Sequence, residues 1–468
     1  MSQTLPNLRK LDLSYSWELE KIIDFGEFPN LEWLNLRGCD KLVELGPSIG
    51  LLKKLVYLNL YRCINLVSIP NNIFDLSSLE YLNMQRCSKA FKNGSTSSVF
   101  KYLLPSLHSL DCLCIVDISF CNLSQVPDSI ECLLSLEKLN LRGNNFVTLP
   151  SLRKLSKLVC LNLEHCKLLE SLPQLPSPTT MRERDEFEWY DISYNMLEFD
   201  WIRLVIFNCP KLGERECCYS MAFSWMKQFI MANPQSFKDI QIVIPGSEIP
   251  SWINNQSMGD SIQIDKSPIM HDNNIVGILC CVLFTMAPYQ GDSWMRLRLK
   301  SDYNFREMSF PVILDEDLVT TKSSHLWIIY FPRESCHEFG KISFECFGME
   351  VKSCGYRWVC KQDLQEFNLT IMNHEASLPQ KCKILEIEDG TQPQSQSVQE
   401  SFISQGTETE VSVEVPHSHV ADEVSTESPQ KKISNLHTIG RFIGRFLNNC
   451  CQQGSTDTDT DTTPDTTL

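Results

Sequence analysis

A leucine pattern recurs along the first half of the chain, and it dictates the architecture. The pattern Leu-x-x-Leu-x-Leu-x-x-Cys/Asn begins at Leu8, Leu31, Leu55, Leu79, Leu113, Leu136 and Leu158. The starts lie 22 to 24 residues apart, except for the step from Leu79 to Leu113, which carries an insertion near 91–107. A degenerate eighth unit, Trp201-x-x-Leu204-x-Ile206-x-x-Cys209, follows a second insertion near 173–200. Residues such as Leu34 and Leu36 alternate onto one face of a short strand. One unit cannot bury that face alone. Units stacked at this period bury it together, and the product is a curved solenoid with a parallel sheet along its concave side.

Each position of the unit then has a predictable place. The ninth holds Cys39, Cys63, Cys87, Cys121, Asn144, Cys166 and Cys209. One cysteine per repeat is not metal-ligand spacing, which pairs cysteines a few residues apart, so these read as small inward-facing residues where the chain leaves the strand. The fifth position (Asp12, Asn35, Asn59, Asn83, Asp117, Asn140, Asn162) is a polar ladder on the concave face, too regular to carry specificity. Specificity belongs to the columns that vary. The third holds Lys10, Trp33, Tyr57, Tyr81, Ile115, Lys138 and Cys160; the seventh holds Ser14, Arg37, Tyr61, Gln85, Ser119, Arg142 and Glu164; the eighth adds Tyr15, Arg62, Arg86, Phe120 and His165. Trp, Tyr and Arg dominate binding hot spots. Trp33, Arg37, Tyr57, Tyr61, Arg62, Tyr81 and Arg86 are therefore the candidate partner-binding patch, expected to be contiguous over repeats two to four.

The solenoid is expected to occupy 1–215, and apolar residues at helical spacing (Met221, Trp225, Phe229) predict a connecting helix within 216–238. From there the period changes. Strands are predicted near 240–244, 261–265, 276–286, 295–300, 325–331, 341–347 and 355–361. Short strands separated by turn signals, with no helices between them, describe an antiparallel sandwich over 239–365.

Ile244-Pro-Gly-Ser-Glu-Ile-Pro-Ser-Trp-Ile-Asn-Asn-Gln-Ser-Met-Gly-Asp-Ser-Ile resembles the signature of the C-terminal jelly-roll/Ig-like domain of plant TIR-type nucleotide-binding leucine-rich-repeat receptors. Val276-Gly-Ile-Leu-Cys-Cys-Val-Leu-Phe, His325-Leu-Trp-Ile-Ile-Tyr and Val351-Lys-Ser-Cys-Gly-Tyr-Arg-Trp-Val are similar to later strands of that domain. Leu55-Val-Tyr-Leu-Asn-Leu-Tyr-Arg-Cys-Ile-Asn-Leu and Phe207-Asn-Cys-Pro-Lys-Leu resemble the family's repeats. The resemblance implies a recognition module that binds a pathogen effector or a guarded host protein and packs against other domains of the same receptor. The family's nucleotide switch and NAD-cleaving TIR domain do not carry over, because the chain holds no P-loop Gly-x-x-x-x-Gly-Lys-Ser/Thr. A segment of a longer receptor and a stand-alone repeat scaffold or immune regulator both remain open. Within the signature, Pro245, Gly246 and Pro250 suit a rigid turn, Trp252 a core position, and Glu248, Asn254, Asn255 and Gln256 a polar loop able to touch a partner.

Residues 366–468 are mostly Gln-, Ser-, Thr- and Glu-rich, which predicts a disordered acidic tail. Ile439, Phe442, Ile443, Phe446 and Leu447 recur at helical spacing inside it, marking an amphipathic basic helix over 436–449 ahead of Cys450 and Cys451. That stretch is the sole candidate for membrane contact, over 436–451. Elsewhere the composition excludes more than it suggests. A net charge of −16 argues against nucleic acid as a partner. No basic-then-apolar leader opens the chain, so the 21 cysteines read as reduced thiols in a cytoplasmic or nuclear protein. No Gly-x-Ser-x-Gly, His-Glu-x-x-His or Cys-x-x-Cys occurs, and Cys336-His337 are adjacent residues that a strand would point apart. The expectation is a binding protein with no catalytic residue, no metal and no cofactor.

Overall fold

The computed structural model describes residues 5–364 apart from 23, 68, 92–109, 179–201, 214–216, 233–238, 287–292, 301–304, 313–322 and 336–339. The tail with its expected helix and Cys450-Cys451, most of both insertions and the Cys336-His337 pair lie outside the described residues.

Strands form where the leucine pattern places them. In chain order they are β1 (Lys10–Asp12), β2 (Lys21–Ile22), β3 (Trp33–Asn35), β4 (Glu44–Leu45), β5 (Tyr57–Asn59), β6 (Tyr81–Asn83), β7 (Ile115–Asp117), β8 (Lys138–Asn140), β9 (Cys160–Asn162) and β10 (Ile202–Val205). β2 and β4 form a small pair of their own; the others make one parallel sheet. Its register is strict: Leu34 lies beside Leu58 and Leu58 beside Leu82. Leu31, Leu34, Leu36, Leu55, Leu58 and Leu60 are all fully buried, so each rung closes the apolar face of the next.

The ninth position explains how the rungs stay in step. The Cys63 thiol donates to the carbonyl of Leu36 and the Cys87 thiol to that of Leu60, each at 3.1 Å. Cys39, Cys121, Cys166 and Cys209 reach the preceding repeat in the same way. Asn144 replaces the thiol with an amide. It donates to Ile118 O and Leu141 O and accepts from the backbone N–H groups of Cys121 and Leu123. These groups satisfy backbone atoms that would otherwise be buried without partners. Burial pushes the Cys39 and Cys166 thiols up to about 12, so they stay protonated donors.

The chain leaves each strand of the parallel sheet through a left-handed residue. Tyr15, Arg62, Arg86, Phe120, His165 and Asn208 have φ between 54° and 66°, and Gly38 and Gly143 have 66°. The two glycines are needed for a second reason. A Cβ on Gly38 would lie 2.6 Å from the Tyr15 ring, and one on Gly143 would lie 2.3 Å from the Phe120 ring.

The second half begins with α1 (Pro210–Gly213) and α2 (Cys217–Ala232). Cys218, Ala222, Trp225, Met226 and Phe229 make the buried stripe of α2. The strands that follow are β11 (Ile240–Pro245), β12 (Asn255–Met258), β13 (Ser261–Gln263), β14 (Ile275–Met286), β15 (Ser293–Lys300), β16 (Phe305–Val312), β17 (Ser324–Pro332), β18 (Lys341–Phe347) and β19 (Met349–Cys360), with a short helix α3 (Ser267–His271) before β14. They form two sheets, β11-β17-β14-β19-β12 and β13-β18-β15-β16. Ile278, Cys280, Val282 and Phe284 of β14 and Trp327, Ile329 and Phe331 of β17 share a core with Ile342 and Phe344 of β18, so the two sheets pack face to face.

β11 is the hinge of the topology. It runs parallel to β10 and antiparallel to β17, so the solenoid sheet continues into the sandwich without a break. Along one row, Val205, Val243, Trp327, Val282 and Cys354 stand directly opposite one another, and all five belong to the sandwich core. Val205 occupies the fifth repeat position, polar in every earlier repeat. The polar floor of the solenoid thus becomes the apolar interior of the sandwich at one residue.

Four sequence expectations need correction. The strands are not free of intervening helices, since α3 lies between β13 and β14 and buries Ile269 in the core. β12 and β16 were not predicted, and Asn255 and Gln256 therefore sit in a strand and not in a loop. The run Asn-Gln-Ser-Met has no alternation to betray it, and it is a strand because it pairs with β19 along the sheet edge. Gly355 of β19 permits that approach, since a Cβ there would lie 2.7 Å from Asn255 O. The last predicted strand, 355–361, starts six residues earlier, at Met349.

Candidate protein-interaction face

Third-position residues on adjacent parallel strands stand about 4.8 Å apart. That is close to the distance at which aromatic rings stack, so Trp, Tyr and Tyr in successive repeats produce a ladder. Trp33 and Tyr57 stack at 4.9 Å and 15°, and Tyr57 and Tyr81 at 4.4 Å and 9°. Beside it runs the fifth-position ladder. Each amide or carboxylate there accepts the backbone N–H two residues on: Asn35 from Arg37, Asn59 from Tyr61, Asn83 from Gln85. Asn59 and Asn83 also donate to the hydroxyls of Tyr57 and Tyr81. The asparagines therefore hold the tyrosines upright as well as fixing the turns.

Of the seven patch residues, the structure brings Trp33, Tyr57 and Tyr81 together, but Tyr57 is only 3% exposed because the half-buried Trp33 and Tyr81 rings cover its two faces, so it supports its neighbours and is not itself a contact residue. The structure also pairs Arg37 with Tyr61, at 4.9 Å from guanidinium carbon to ring centroid. Asn59 joins the two rows through Tyr57 OH and the Tyr61 backbone. Arg86 stands apart from this group, over the Phe120 ring at 5.2 Å. Arg62 is exposed.

The concave columns do not stay open along the whole solenoid. Ser119, Arg142, Cys160, Glu164 and His165, read from sequence as specificity positions, are all buried. Arg142, Glu164 and His165 belong to a closed polar junction between solenoid and sandwich, whereas Ser119 is bonded to Asp117 within its own repeat. Arg142 Nε pairs with Glu164 Oε2 at 3.2 Å. The Asn208 side chain meets His165 Nδ1 at 2.8 Å, and its backbone N–H donates to His325 Nε2 at 3.1 Å. His325 therefore carries its proton on Nδ1, facing Ser323 O. Burial lowers both imidazoles, His325 to about 4, and keeps them neutral. Phe207 lies 4.5 Å from the His325 ring and stacks on Phe284 at 6.3 Å. Sequence reasoning passed over Arg203, Gln241 and His325, also buried here, because a lone polar residue in an apolar strand gives no hint of its neighbours.

The signature loop is anchored at both ends. Trp252, expected in the core, is half-buried: its ring meets Phe223 of α2 edge-on at 5.0 Å, and its carbonyl accepts Arg357 of β19. Gln256 donates to Pro250 O and Ile253 O, so its amide is spent on the loop itself. A Cβ on Gly246 would lie 2.7 Å from Leu326. Glu248 and Asn254 are exposed, and Asn255 donates weakly to Asn254 at 3.3 Å. Gln256 is exposed as well and Asn255 is half-buried, with Asn255 and Gln256 both paired at the sheet edge.

Stacked leucine rungs carrying a stacked aromatic row and running into a two-sheet β module define a leucine-rich-repeat protein with an appended β domain. Residues 244–365 match the C-JID domain model, and 135–155 match the Leucine Rich Repeat model. The chain is 32% identical to the disease resistance-like protein DSC1 of Arabidopsis thaliana over 238 residues, which is 46% of this chain and 19% of that protein. It is 27% identical over 408 residues to the Arabidopsis disease resistance protein RML1B, 78% of this chain and 35% of that protein. It is 41% identical over 91 residues to the TMV resistance protein N of Nicotiana glutinosa, 19% of this chain and 8% of that protein. A solved leucine-rich-repeat protein of Leptospira interrogans covers 39% of this chain and 60% of its own, at 23% identity and a TM-score of 0.24. The chain corresponds to the C-terminal part, leucine-rich repeats and C-JID domain, of plant TIR-type nucleotide-binding leucine-rich-repeat disease-resistance proteins. It spans between about a fifth and a third of the length of DSC1 and RML1B.

Proposed function

We propose that this chain is the recognition part of a plant immune receptor, binding a pathogen effector or a guarded host protein on the open concave face of repeats two to four. The observation that carries the reading is the Trp33-Tyr57-Tyr81 ladder. Large rings held in place by stacking and by asparagine donors lose little freedom on binding, and rigid aromatic anchors of this kind supply much of the energy of protein interfaces. Disease-resistance relatives favour a protein partner. In a full receptor the same surface, or the C-JID domain, would also contact the other domains and contribute to autoinhibition. The reading includes a cytoplasmic or nuclear setting and binding without catalysis.

The strand order supports a finer reading of the C-JID module as a jelly roll. From β12 onward its sheets run β12-β19-β14-β17 and β13-β18-β15-β16. That is the order obtained when a long hairpin of eight strands is wrapped into two sheets, with β11 as an added edge that reaches the solenoid.

The test is selection of binders to the full chain from displayed effector and host-protein fragments, followed by titration against Trp33→Ala and Tyr57→Ala. Binders that lose at least tenfold in affinity on both variants support the reading. A set of binders indifferent to both would overturn it.

A further inference from the structure

The concave-face reading leaves the partner's chemistry open, and one strip of side chains narrows it. Over the first five repeats, positions seven and eight hold three arginines, Arg37, Arg62 and Arg86, and no carboxylate. The chain as a whole has 58 acidic against 42 basic residues, so the strip is opposite in sign to the net charge of the chain.

Arg37 is pre-organised. Its guanidinium carbon lies 4.9 Å from the Tyr61 centroid and 5.6 Å from that of Tyr15, one ring in the following repeat and one in the preceding repeat. Its Nε is sealed from solvent, and among the described residues no carboxylate pairs with it. Asp12, on the neighbouring strand, already accepts the Ser14 N–H at 2.8 Å and the Asn35 amide at 3.2 Å. With rings against the guanidinium and Nε sealed, the two terminal Nη groups are what remain for a partner, and that end matches a carboxylate in a two-point hydrogen bond. Arg62, exposed in the next repeat, adds a second cation, and Arg86 a third, braced on Phe120.

We propose that this strip recognises an extended acidic segment of the partner protein, with carboxylates on Arg37 and Arg86, Arg62 adding positive charge between them, and apolar side chains on the accessible edges of Trp33 and Tyr81. The proposal rests on the concave-face reading above. Its spacing follows from the sheet. Arg37 and Arg86 are two repeats apart, roughly 10 Å at about 4.8 Å per strand. A polyproline II segment rises about 3.1 Å per residue with three residues per turn, so side chains three apart fall on one edge about 9 Å from each other. The recognised segment therefore carries an acidic residue at every third position, with apolar residues between.

The experiment titrates the full chain with two fluorescein-labelled peptides, one of four Glu-Pro-Leu triplets and one of four Gln-Pro-Leu triplets, read by anisotropy at two salt concentrations. The glutamate peptide is expected to bind in a salt-sensitive way, at least tenfold more tightly than the glutamine peptide. The double variant Arg37→Gln/Arg62→Gln is expected to lose that margin, and Arg37→Lys, which keeps the charge without the flat fork, to lose part of it. Thermal melts of the variants verify that they fold. No binding of the glutamate peptide, equal binding of the two peptides, or an unchanged affinity in the double variant overturns the proposal. Tyr57→Ala separates the two levels. If both peptides bind equally and both fail on Tyr57→Ala, the concave face is the binding face and its partner is not acidic. If the glutamate peptide binds equally to wild type, the arginine double variant and Tyr57→Ala, both readings fall.

Discussion

Single residues set the solenoid's tolerances. Gly38 and Gly143 combine a left-handed φ with an aromatic ring resting where a side chain would begin. Gly38→Ala and Gly143→Ala should each destabilise by about 1–3 kcal/mol, the range for strained backbone at a non-glycine residue. Equilibrium denaturation checks this, and unchanged midpoints would show that the rings move aside freely. The thiols give a second expectation. Cys39, Cys63, Cys87, Cys121, Cys166 and Cys209 are buried donors, while Cys112 is exposed. A thiol reagent should modify Cys112 in the native chain and leave the ninth-position cysteines untouched until denaturant is added, as peptide mapping would report. His325 supplies a pH dependence. Its folded-state value, about 4, is below its ordinary 6.5, so the unfolded chain takes up the proton first. Stability is full above about pH 6.5 and declines as pH falls toward 4, by about 2 kcal/mol at pH 5. His165 acts with the same sign. Protonation of His325 Nε2 also removes the acceptor for the Asn208 N–H. The thermal midpoint should drop from pH 7 to pH 5, and His325→Gln should flatten that drop.

At the scale of the element, the repeat succeeds because each short strand satisfies its neighbour twice. The leucines fill the interior and the ninth-position side chain holds the preceding carbonyl. Leu58, fully buried between Leu34 and Leu82, is the middle of this arrangement. Leu58→Ala should cost about 2–5 kcal/mol, as interior truncations do. An unchanged melt would contradict its place in the rung. The surface ion pairs that link repeats, such as Lys21 with Glu44 and Lys41 with Glu18, add little by comparison, since both partners are solvated. The arginine strip belongs to this scale too, because its geometry comes from stacking turns and not from any one turn.

For the whole molecule, the decisive feature is β11. It completes the solenoid sheet on one side and starts the sandwich sheet on the other, so the last repeats and the C-JID domain share backbone hydrogen bonds and a core. Ile242 sits in the middle of β11, fully buried, opposite Leu204 on one strand and Ile328 on the other. Ile242→Pro should strip hydrogen-exchange protection from β9 and β10 as well as from β14 and β17. Loss confined to the sandwich would mean the two parts unfold independently. The closed junction of Arg142, Glu164, His165 and His325 lies at this seam.

Much of this was legible in the residues. Leucine spacing located the concave strands, the regular polar column announced the ladder, and the unbroken apolar run of 276–286 marked β14, because burial and period are local properties that a sequence records directly. The aromatic ladder was legible in kind, since Trp33, Tyr57 and Tyr81 share one repeat position. Other features depended on residues far apart in the chain. Asn255 and Gln256 became a strand because β19 lies beside them, and polar edge residues carry no alternation of their own. Glu164 and His165 looked exposed by repeat arithmetic, yet they are buried where the sheet meets the sandwich. Arg37 gained its role from Tyr15 and Tyr61, each in a different repeat. The sequence by itself determined which residues face inward and how often the chain turns. Only the tertiary structure decided which parts of the concave face stay open, because closure depends on what a distant strand brings alongside, and no local pattern encodes that.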